Sequence, residues 1–203
     1  MIKNIIFDVG NVLVDFRDLS YMEDLGFSED VIQLFHEKVV QSSLWVELDR
    51  GEIDPASVIA EMIKLVPGYE KEAALFFERL EEIVVSFPYA RPWLQELRER
   101  GYQIYLLSNY PKNLFEEHEK DGRFTFIDVI HGKVVSAYEK IIKPDPAIYT
   151  CLLERYGLVA EESVFLDDRL ENIEAARALG IQGIHFTSYE ESRKALEALL
   201  LEK

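Results

Sequence analysis

The sequence predicts an α/β protein: a Rossmann-like, three-layer core built on a parallel sheet, with an inserted helical cap. Three observations carry that prediction. From residue 88 onward, short apolar runs alternate with stretches of helical period, the rhythm of a parallel sheet covered on both faces. A first apolar run, Ile2 to Val9, stands apart at the N-terminus. Between the two lie roughly seventy residues of purely helical pattern, far longer than a crossover connection needs. Residues 1–15 and 89–203 are therefore expected to form the core, and 16–88 the cap.

The run Ile2 to Val9 ends at Gly10-Asn11 and reads as a buried strand followed by a turn. From about Phe16 to Phe87, apolar residues recur at three-to-four spacing: Leu25, Val31, Leu34, Phe35 and Val39, then Val58, Met62, Ile63 and Val66. That is the stripe of amphipathic helices. Gly51, Pro55 and Pro67-Gly68 divide it into several helices, and it shows neither strand pattern nor repeat. Pro92 to Arg100 is a helix with proline in its first turn and Gly101 at a left-handed C-terminal cap. Gln103 to Leu107 is a strand ending at Ser108-Asn109, and Phe126 to Ile130 is read as the third. Pro146 to Tyr156 is a helix, capped by Asp145 and closed at Gly157. Ser163 to Leu166 is a buried strand ending at Asp167-Asp168. Leu170 to Leu179 is a helix closing at Gly180, Ile181 to Phe186 the fifth strand, and Tyr189 to Leu201 the last helix.

Composition removes several classes. Acidic residues outnumber basic ones 38 to 22, a net charge of −16, and such a surface repels phosphate backbones and anionic lipid. No nucleic-acid or membrane partner is expected. The single cysteine, Cys151, excludes an internal disulfide and a cysteine-rich zinc site. Asp8 ends the N-terminal apolar run too early for a signal peptide, and no stretch approaches the ~20 apolar residues of a membrane span. A cytoplasmic location is expected. There is no G-x-G-x-x-G, Walker A, G-x-S-x-G or H-E-x-x-H pattern. His36, His118, His131 and His185 share no metal-ligand spacing and read as surface or structural.

In open parallel sheets, ligands bind beyond the carboxyl ends of the strands. Three strands end there in polar residues: Asp8, Ser108-Asn109 and Asp167-Asp168. Taken singly each has an ordinary explanation, Asp8 as a turn former, the acidic pair as a helix cap, and Lys143-Pro144 as a solvated lysine on an extended dipeptide. Their coincidence is harder to dismiss. Three carboxylates at one sheet edge raise one another's pKa unless a cation sits among them, and a hard divalent ion, Mg²⁺ by preference, resolves this. With a lysine and a serine hydroxyl alongside, the result is a phosphate site. A carboxylate attacking phosphate meets a repulsion of ~4 kcal/mol per unit charge at about 4 Å and an effective dielectric near 20. The metal and Lys143 offset it, while Ser108 and backbone N–H groups hold the transferring oxygens.

Four segments in order, Ile5-Ile6-Phe7-Asp8-Val9-Gly10-Asn11-Val12-Leu13, Leu106-Leu107-Ser108-Asn109, Lys143-Pro144-Asp145-Pro146-Ala147-Ile148-Tyr149 and Phe165-Leu166-Asp167-Asp168, resemble the motifs of the haloacid dehalogenase-like (HAD) hydrolase superfamily. The resemblance covers both core segments; the cap agrees only in length and helical character. It implies a Mg²⁺-dependent phosphatase acting on a small phosphorylated substrate. Asp8 would be nucleophile and metal ligand, Ser108 and Asn109 would bind phosphate or substrate, and Lys143 would pair with both nucleophile and phosphate. Asp168 would ligate the metal directly with Asp167 behind it, and Asn172 would orient the acidic loop.

Gly10 departs from the pattern. Most phosphatases of the superfamily carry a second aspartate two residues after the nucleophile, as general acid and base. A glycine carbonyl can still ligate metal, but no side chain protonates the leaving group, a loss worth 10²–10⁴-fold. Anomeric sugar, aryl and acyl leaving groups should therefore survive best. The sequence around Asp8 resembles the capped subgroup containing sugar-1-phosphate phosphatases and the N-terminal domains of epoxide hydrolases, and a hexose 1-phosphate is the expected substrate. Cap residues Trp45, Arg50 and Gly51 are candidates for specificity, with Arg50 taken as substrate-binding. Their ordinary reading is that Trp45 packs, Gly51 ends a helix and Arg50 pairs with a nearby acid. Three other readings use the same residues: a metal-free 2-haloacid dehalogenase, a phosphorylation-dependent receiver module, and a catalytically dead phosphate-binding protein.

Overall fold

The structure, a computed structural model, describes residues 1–201. Strand β1 (Asn4–Phe7) runs up the middle of a five-stranded sheet. Successive side chains point to opposite faces, so Ile5 and Phe7 enter one apolar cluster and Ile6 the other. A strand covered on both faces reads as an unbroken apolar run, as this one does.

After β1 the chain forms β2 (Val14–Phe16) and then the helices α1 (Asp18–Asp24), α2 (Glu29–Phe35), α3 (Ser43–Arg50), α4 (Pro55–Ile63) and α5 (Glu70–Glu78). It returns through β3 (Val84–Ser86). Local chemistry sets the helix ends. The Ser42 hydroxyl accepts from the Trp45 N–H at 3.3 Å to start α3, and Gly51, at φ 67°, ends it in the left-handed conformation. Asp54 caps α4 by accepting from the Ser57 N–H at 3.1 Å, with Pro55 in the first turn.

The remaining elements alternate: α6 (Ala90–Glu99), β4 (Gln103–Ser108), α7 (Lys112–Lys120), β5 (Gly132–Val135), α8 (Ser136–Glu139), α9 (Pro146–Tyr156), β6 (Ser163–Asp167), α10 (Leu170–Ala178), β7 (Gln182–His185) and α11 (Tyr189–Leu201). The sheet order is β5-β4-β1-β6-β7, parallel throughout. Trp93, Leu94 and Leu97 of α6 with Leu196 of α11 cover one face; Ile148, Tyr149 and Leu152 of α9 with Ile173 and Ala176 of α10 cover the other. This is the predicted three-layer α/β fold. Strand order reverses beside β1, and the register sets Phe7 level with both Leu106 and Leu166. The residues that follow these positions, Asp8, Ser108 and Asp167-Asp168, thus emerge at one edge, at the switch point where such sheets bind ligands.

Two expectations need correction. Phe126 to Ile130 is not a strand. Phe126 and Val129 are buried, but the segment turns, with the Val129 N–H donating to the Phe126 carbonyl at 3.0 Å. Two of its carbonyls are satisfied by an arginine instead of a ladder: Arg98 reaches Asp128 O at 3.2 Å and Val129 O at 2.7 Å. The edge strand is β5, which starts at Gly132, where a Cβ would lie 2.3 Å from the Tyr156 ring. The region from Phe16 to Phe87 is also not strand-free. β3 pairs antiparallel with β2, Val14 opposite Ser86 and Phe16 opposite Val84, a ribbon too short to register as a period. The expected division after residue 15 falls inside β2, and the one after residue 88 just beyond β3.

Candidate active site

Asp8 leaves β1 with its N–H still in the ladder, donating to Leu166 O at 2.9 Å. Its Oδ1 accepts from the Val9 N–H at 2.7 Å and lies 2.8 Å from the Lys143 ammonium. The same ammonium donates to Asp167 Oδ2 at 2.6 Å. Lys143 is not the solvated lysine of the ordinary reading; it is 3% exposed, a buried cation bridging two buried carboxylates. Asn109 fixes the segment that carries it. Its Oδ1 accepts from the Lys143 N–H at 2.8 Å and its Nδ2 donates to the Lys143 carbonyl at 3.1 Å.

The two aspartates after β6 differ in what they have left to offer. Asp167 is fully buried and, besides Lys143, accepts from the Arg169 N–H at 2.8 Å and from Asn172 Nδ2 at 2.9 and 3.0 Å. Asp168 lines the cleft, and Asn11 Nδ2 donates to its Oδ2 at 3.2 Å. Asn11 makes that contact from a left-handed backbone, φ 55°, which asparagine tolerates better than most residues.

The charges are under strain. Burial pushes the Asp8 carboxyl up to about 7; Lys143 pulls it down, and Asp167 and Asp168 push it further up. Asp168 is raised by burial and by Asp167, against the Asn11 hydrogen bond. For Lys143 burial opposes the charge, yet Asp8 and Asp167 together hold it above the ordinary lysine value. Asp8, Asp167 and Asp168 each present a carboxylate oxygen within 4.8 Å of the other two. Such hard, anionic, crowded oxygens suit a hard divalent cation and relieve their own repulsion by binding one.

Above them opens a cleft of about 220 Å³. Asp8, Gly10, Asn109, Lys143 and Asp168 form its floor, while Phe16 of β2, Trp45 and Asp49 of α3, Tyr110, and Leu114 of α7 complete the lining. Phe16 and Trp45 meet edge to face at 5.7 Å. Beyond the Gly10 Cα the space is open, with no atom within 4 Å of where a Cβ would sit.

A family model described as haloacid dehalogenase-like hydrolase matches residues 2–180. The chain belongs to the haloacid dehalogenase-like hydrolases. It is 28% identical over 189 residues to a sesquiterpene phosphatase of Aspergillus oryzae, spanning 91% of this chain and 90% of that protein. It is 32% identical over 167 residues to acyl-CoA dehydrogenase family member 10 of Mus musculus, of whose length the match spans only 15%. Among solved structures, a HAD-family enzyme of Bacteroides thetaiotaomicron, in complex with magnesium and inorganic phosphate, superposes with a TM-score of 0.72 at 25% identity, over 94% of this chain and 98% of that one.

In this HAD hydrolase the predicted residues do not all converge. Asp8, Gly10, Asn109, Lys143, Asp168 and Asn172 line one cleft, and Asp167, outside the lining, accepts from Asn172. Ser108 is 1% exposed and lies behind the lining, its hydroxyl 3.5 Å from the Asn109 carbonyl. Arg50 is outside the lining as well, 3.5 Å from Glu47. Trp45 both packs and lines the cleft. Sequence reasoning missed Asn11 as a partner of Asp168, and it missed Asp49. Asn11 lies in the first of the four motifs but reads as a turn residue, and Asp49 is one acid among many on a helix. Among the described residues, no helix is long and apolar enough to cross a membrane.

Proposed function

We propose that this hydrolase is a Mg²⁺-dependent phosphatase of a small phosphorylated metabolite, acting through a phosphoaspartate on Asp8. The observation that carries this reading is the buried bridge from Asp8 through Lys143 to Asp167, 2.8 and 2.6 Å long. A nucleophilic carboxylate needs fixed positive charge beside it to approach an anion, and Lys143 can supply it without reorganising. Bound Mg²⁺, held by Asp8, Asp168 and the Gly10 carbonyl with Asp167 behind, would offset the remaining repulsion between nucleophile and phosphate.

Val9 N–H and Lys143 engage Asp8 Oδ1, and among the described residues Oδ2 has no hydrogen bond, so Oδ2 is the oxygen we assign to attack phosphorus. Asn109 keeps Lys143 in place, Asn172 and the Arg169 N–H keep Asp167 in place, and Ser108, at the end of β4 next to Asn109, is assigned to the transferring phosphoryl oxygens. The wall of Phe16, Trp45, Tyr110 and Leu114 favours a leaving group with an apolar or ring surface. A hexose 1-phosphate and aryl and terpenoid phosphates therefore head the substrate panel, the last because of the sesquiterpene phosphatase relative. The charge balance and lone cysteine support a cytoplasmic setting.

The test is a hydrolysis screen over sugar, aryl, terpenoid and acyl phosphates with Mg²⁺, with a chelator, and with Asp8→Asn. Phosphate release should need the metal and fall to background in the variant. Metal-independent release, or release untouched by Asp8→Asn, overturns the reading. Chloride release from 2-chloropropionate would replace it with the dehalogenase.

A further inference from the structure

The phosphatase reading leaves the leaving-group oxygen without a proton source, because position 10 has no side chain. One carboxyl group in the cleft has no part in the floor. Asp49, in the last turn of α3, lines the same cavity as Asp8, Gly10 and Lys143. Among the described residues its carboxylate has neither a hydrogen-bond nor an ion-pair partner, unlike Asp8, Asp167 and Asp168.

Asp49 is also held firmly. Its backbone carbonyl accepts from the Ser136 hydroxyl at 2.5 Å, and that hydroxyl in turn accepts from the Tyr110 N–H at 2.9 Å. Two residues on, Gly51 packs so closely on α8 that a Cβ would lie 2.8 Å from the Ala137 Cβ, and Lys140 donates to the Gly51 carbonyl. The end of α3 is thus pinned to the core beside β5. The Asp49 carboxyl is raised to about 7, first by burial and then by the charge of Asp8, with Lys143 and Arg169 opposing. A proton donor works best with an affinity near the working pH.

We propose that Asp49 is the general acid and base of this enzyme, supplied across the cleft from α3 in place of the side chain absent at Gly10. The inference rests on the phosphatase reading. In the first step, Asp8 Oδ2 bonds to phosphorus, the bond from phosphorus to the leaving oxygen breaks, and that oxygen takes the Asp49 proton and departs as an alcohol. In the second, water attacks phosphorus and passes a proton to the Asp49 carboxylate. The bond to Asp8 then breaks, phosphate leaves, and both aspartates are restored. Alkyl phosphates become substrates, against the restriction expected from Gly10 alone.

The experiment compares 4-nitrophenyl phosphate, whose leaving group needs no proton, with a simple alkyl phosphate, in wild type, Asp49→Asn, Asp49→Glu and Asp49→Asn with Gly10→Asp. In Asp49→Asn, alkyl phosphate turnover should fall roughly 10²–10⁴-fold, while nitrophenol release in the first turnover changes by less than about tenfold. Nitrophenol should appear as a burst, because loss of the base slows hydrolysis of the phosphoenzyme. Asp49→Glu should fall between, and Gly10→Asp, entering open space, should recover at least about tenfold on the alkyl substrate. The ratio of the two rates within one preparation does not depend on how much of a variant folds. An equal loss on both substrates, or no loss, overturns the role of Asp49 and leaves the phosphatase intact. A wild type inactive on both, or an active Asp8→Asn, removes the phosphatase reading and this one with it.

Discussion

At the floor of the cleft, Asp8, Lys143 and Asp167 are buried charges that fix one another through bonds of 2.6–2.8 Å. Across from them, Phe16, Trp45 and Asp49 are placed by ring packing, by helix ends and by the clamp of Ser136 on the Asp49 carbonyl. The floor tolerates almost no substitution, because each charge is there to balance another in a medium that solvates none of them. The wall has looser requirements: many side chains can line a 220 Å³ cleft, and only a group that moves a proton is bound to one chemistry. Chemistry fixes residue identity at the floor, whereas packing fixes only residue size and polarity at the wall.

That contrast is sharpest at Lys143. Lys143→Met leaves Asp8 and Asp167 facing each other without a cation, and breaking a buried pair this way costs about 3–5 kcal/mol. The expected result is a large fall in thermal midpoint together with loss of phosphatase activity. Adding Asp167→Asn removes one of the stranded charges and should recover much of the midpoint but none of the activity. Thermal denaturation and initial rates on the three proteins test this. A stable single variant would mean that the floor does not depend on the bridge.

The same contrast explains what could be read in advance. The floor was legible because Asp8 and Asp168 follow strands at one sheet edge, and Lys143, in the loop before α9, lies in one of the motifs that resemble the superfamily's. Two of its supports were half-legible: Asn172 was placed near the acidic loop, while Asn109, expected to touch substrate, spends its amide on the Lys143 backbone. The wall was not legible. Asp49 differs from its acidic neighbours Glu47 and Glu52 only in three dimensions, and a net charge of −16 makes any one acid inconspicuous. For the fold, the central strands were plain, since Ile5, Ile6 and Phe7 are buried on both faces. Phe126 to Ile130 misled because burial without pairing produces the same apolar run as a strand. Which group satisfies its carbonyls, here Arg98, cannot be seen in the run itself.

Asn172 offers a finer cut within the floor. It lines the cleft, but its amide N–H group is spent on both Asp167 oxygens at 2.9 and 3.0 Å, so we assign it the role of a positioning residue. Asn172→Ala should raise the half-saturating Mg²⁺ concentration, by up to the roughly 10–100-fold that losing a partner of a direct ligand costs, since Asp167 itself stands behind the direct ligands. The rate at saturating metal should change much less. A magnesium titration of activity separates the two. A fall in rate that no concentration of metal repairs would show that Asn172 matters to the attack geometry instead.

The smallest effect belongs to Arg50, next to Asp49 in sequence yet outside the cleft. Its guanidinium lies 3.5 Å from Glu47 one helical turn back, and both side chains are about one-third exposed. A pair of that kind contributes about 0.3–0.5 kcal/mol at most. Arg50→Ala should therefore leave KM within about twofold of wild type and stability nearly unchanged, whereas its neighbour Asp49 controls the alkyl-to-aryl rate ratio. Measuring KM for the best substrate of the screen in Arg50→Ala decides between two accounts of the wall. If KM rises tenfold or more, Arg50 swings from Glu47 to the substrate phosphate and the end of α3 brings two working groups to the cleft. An unchanged KM leaves Asp49 as the α3 residue whose carboxyl group the substrate meets.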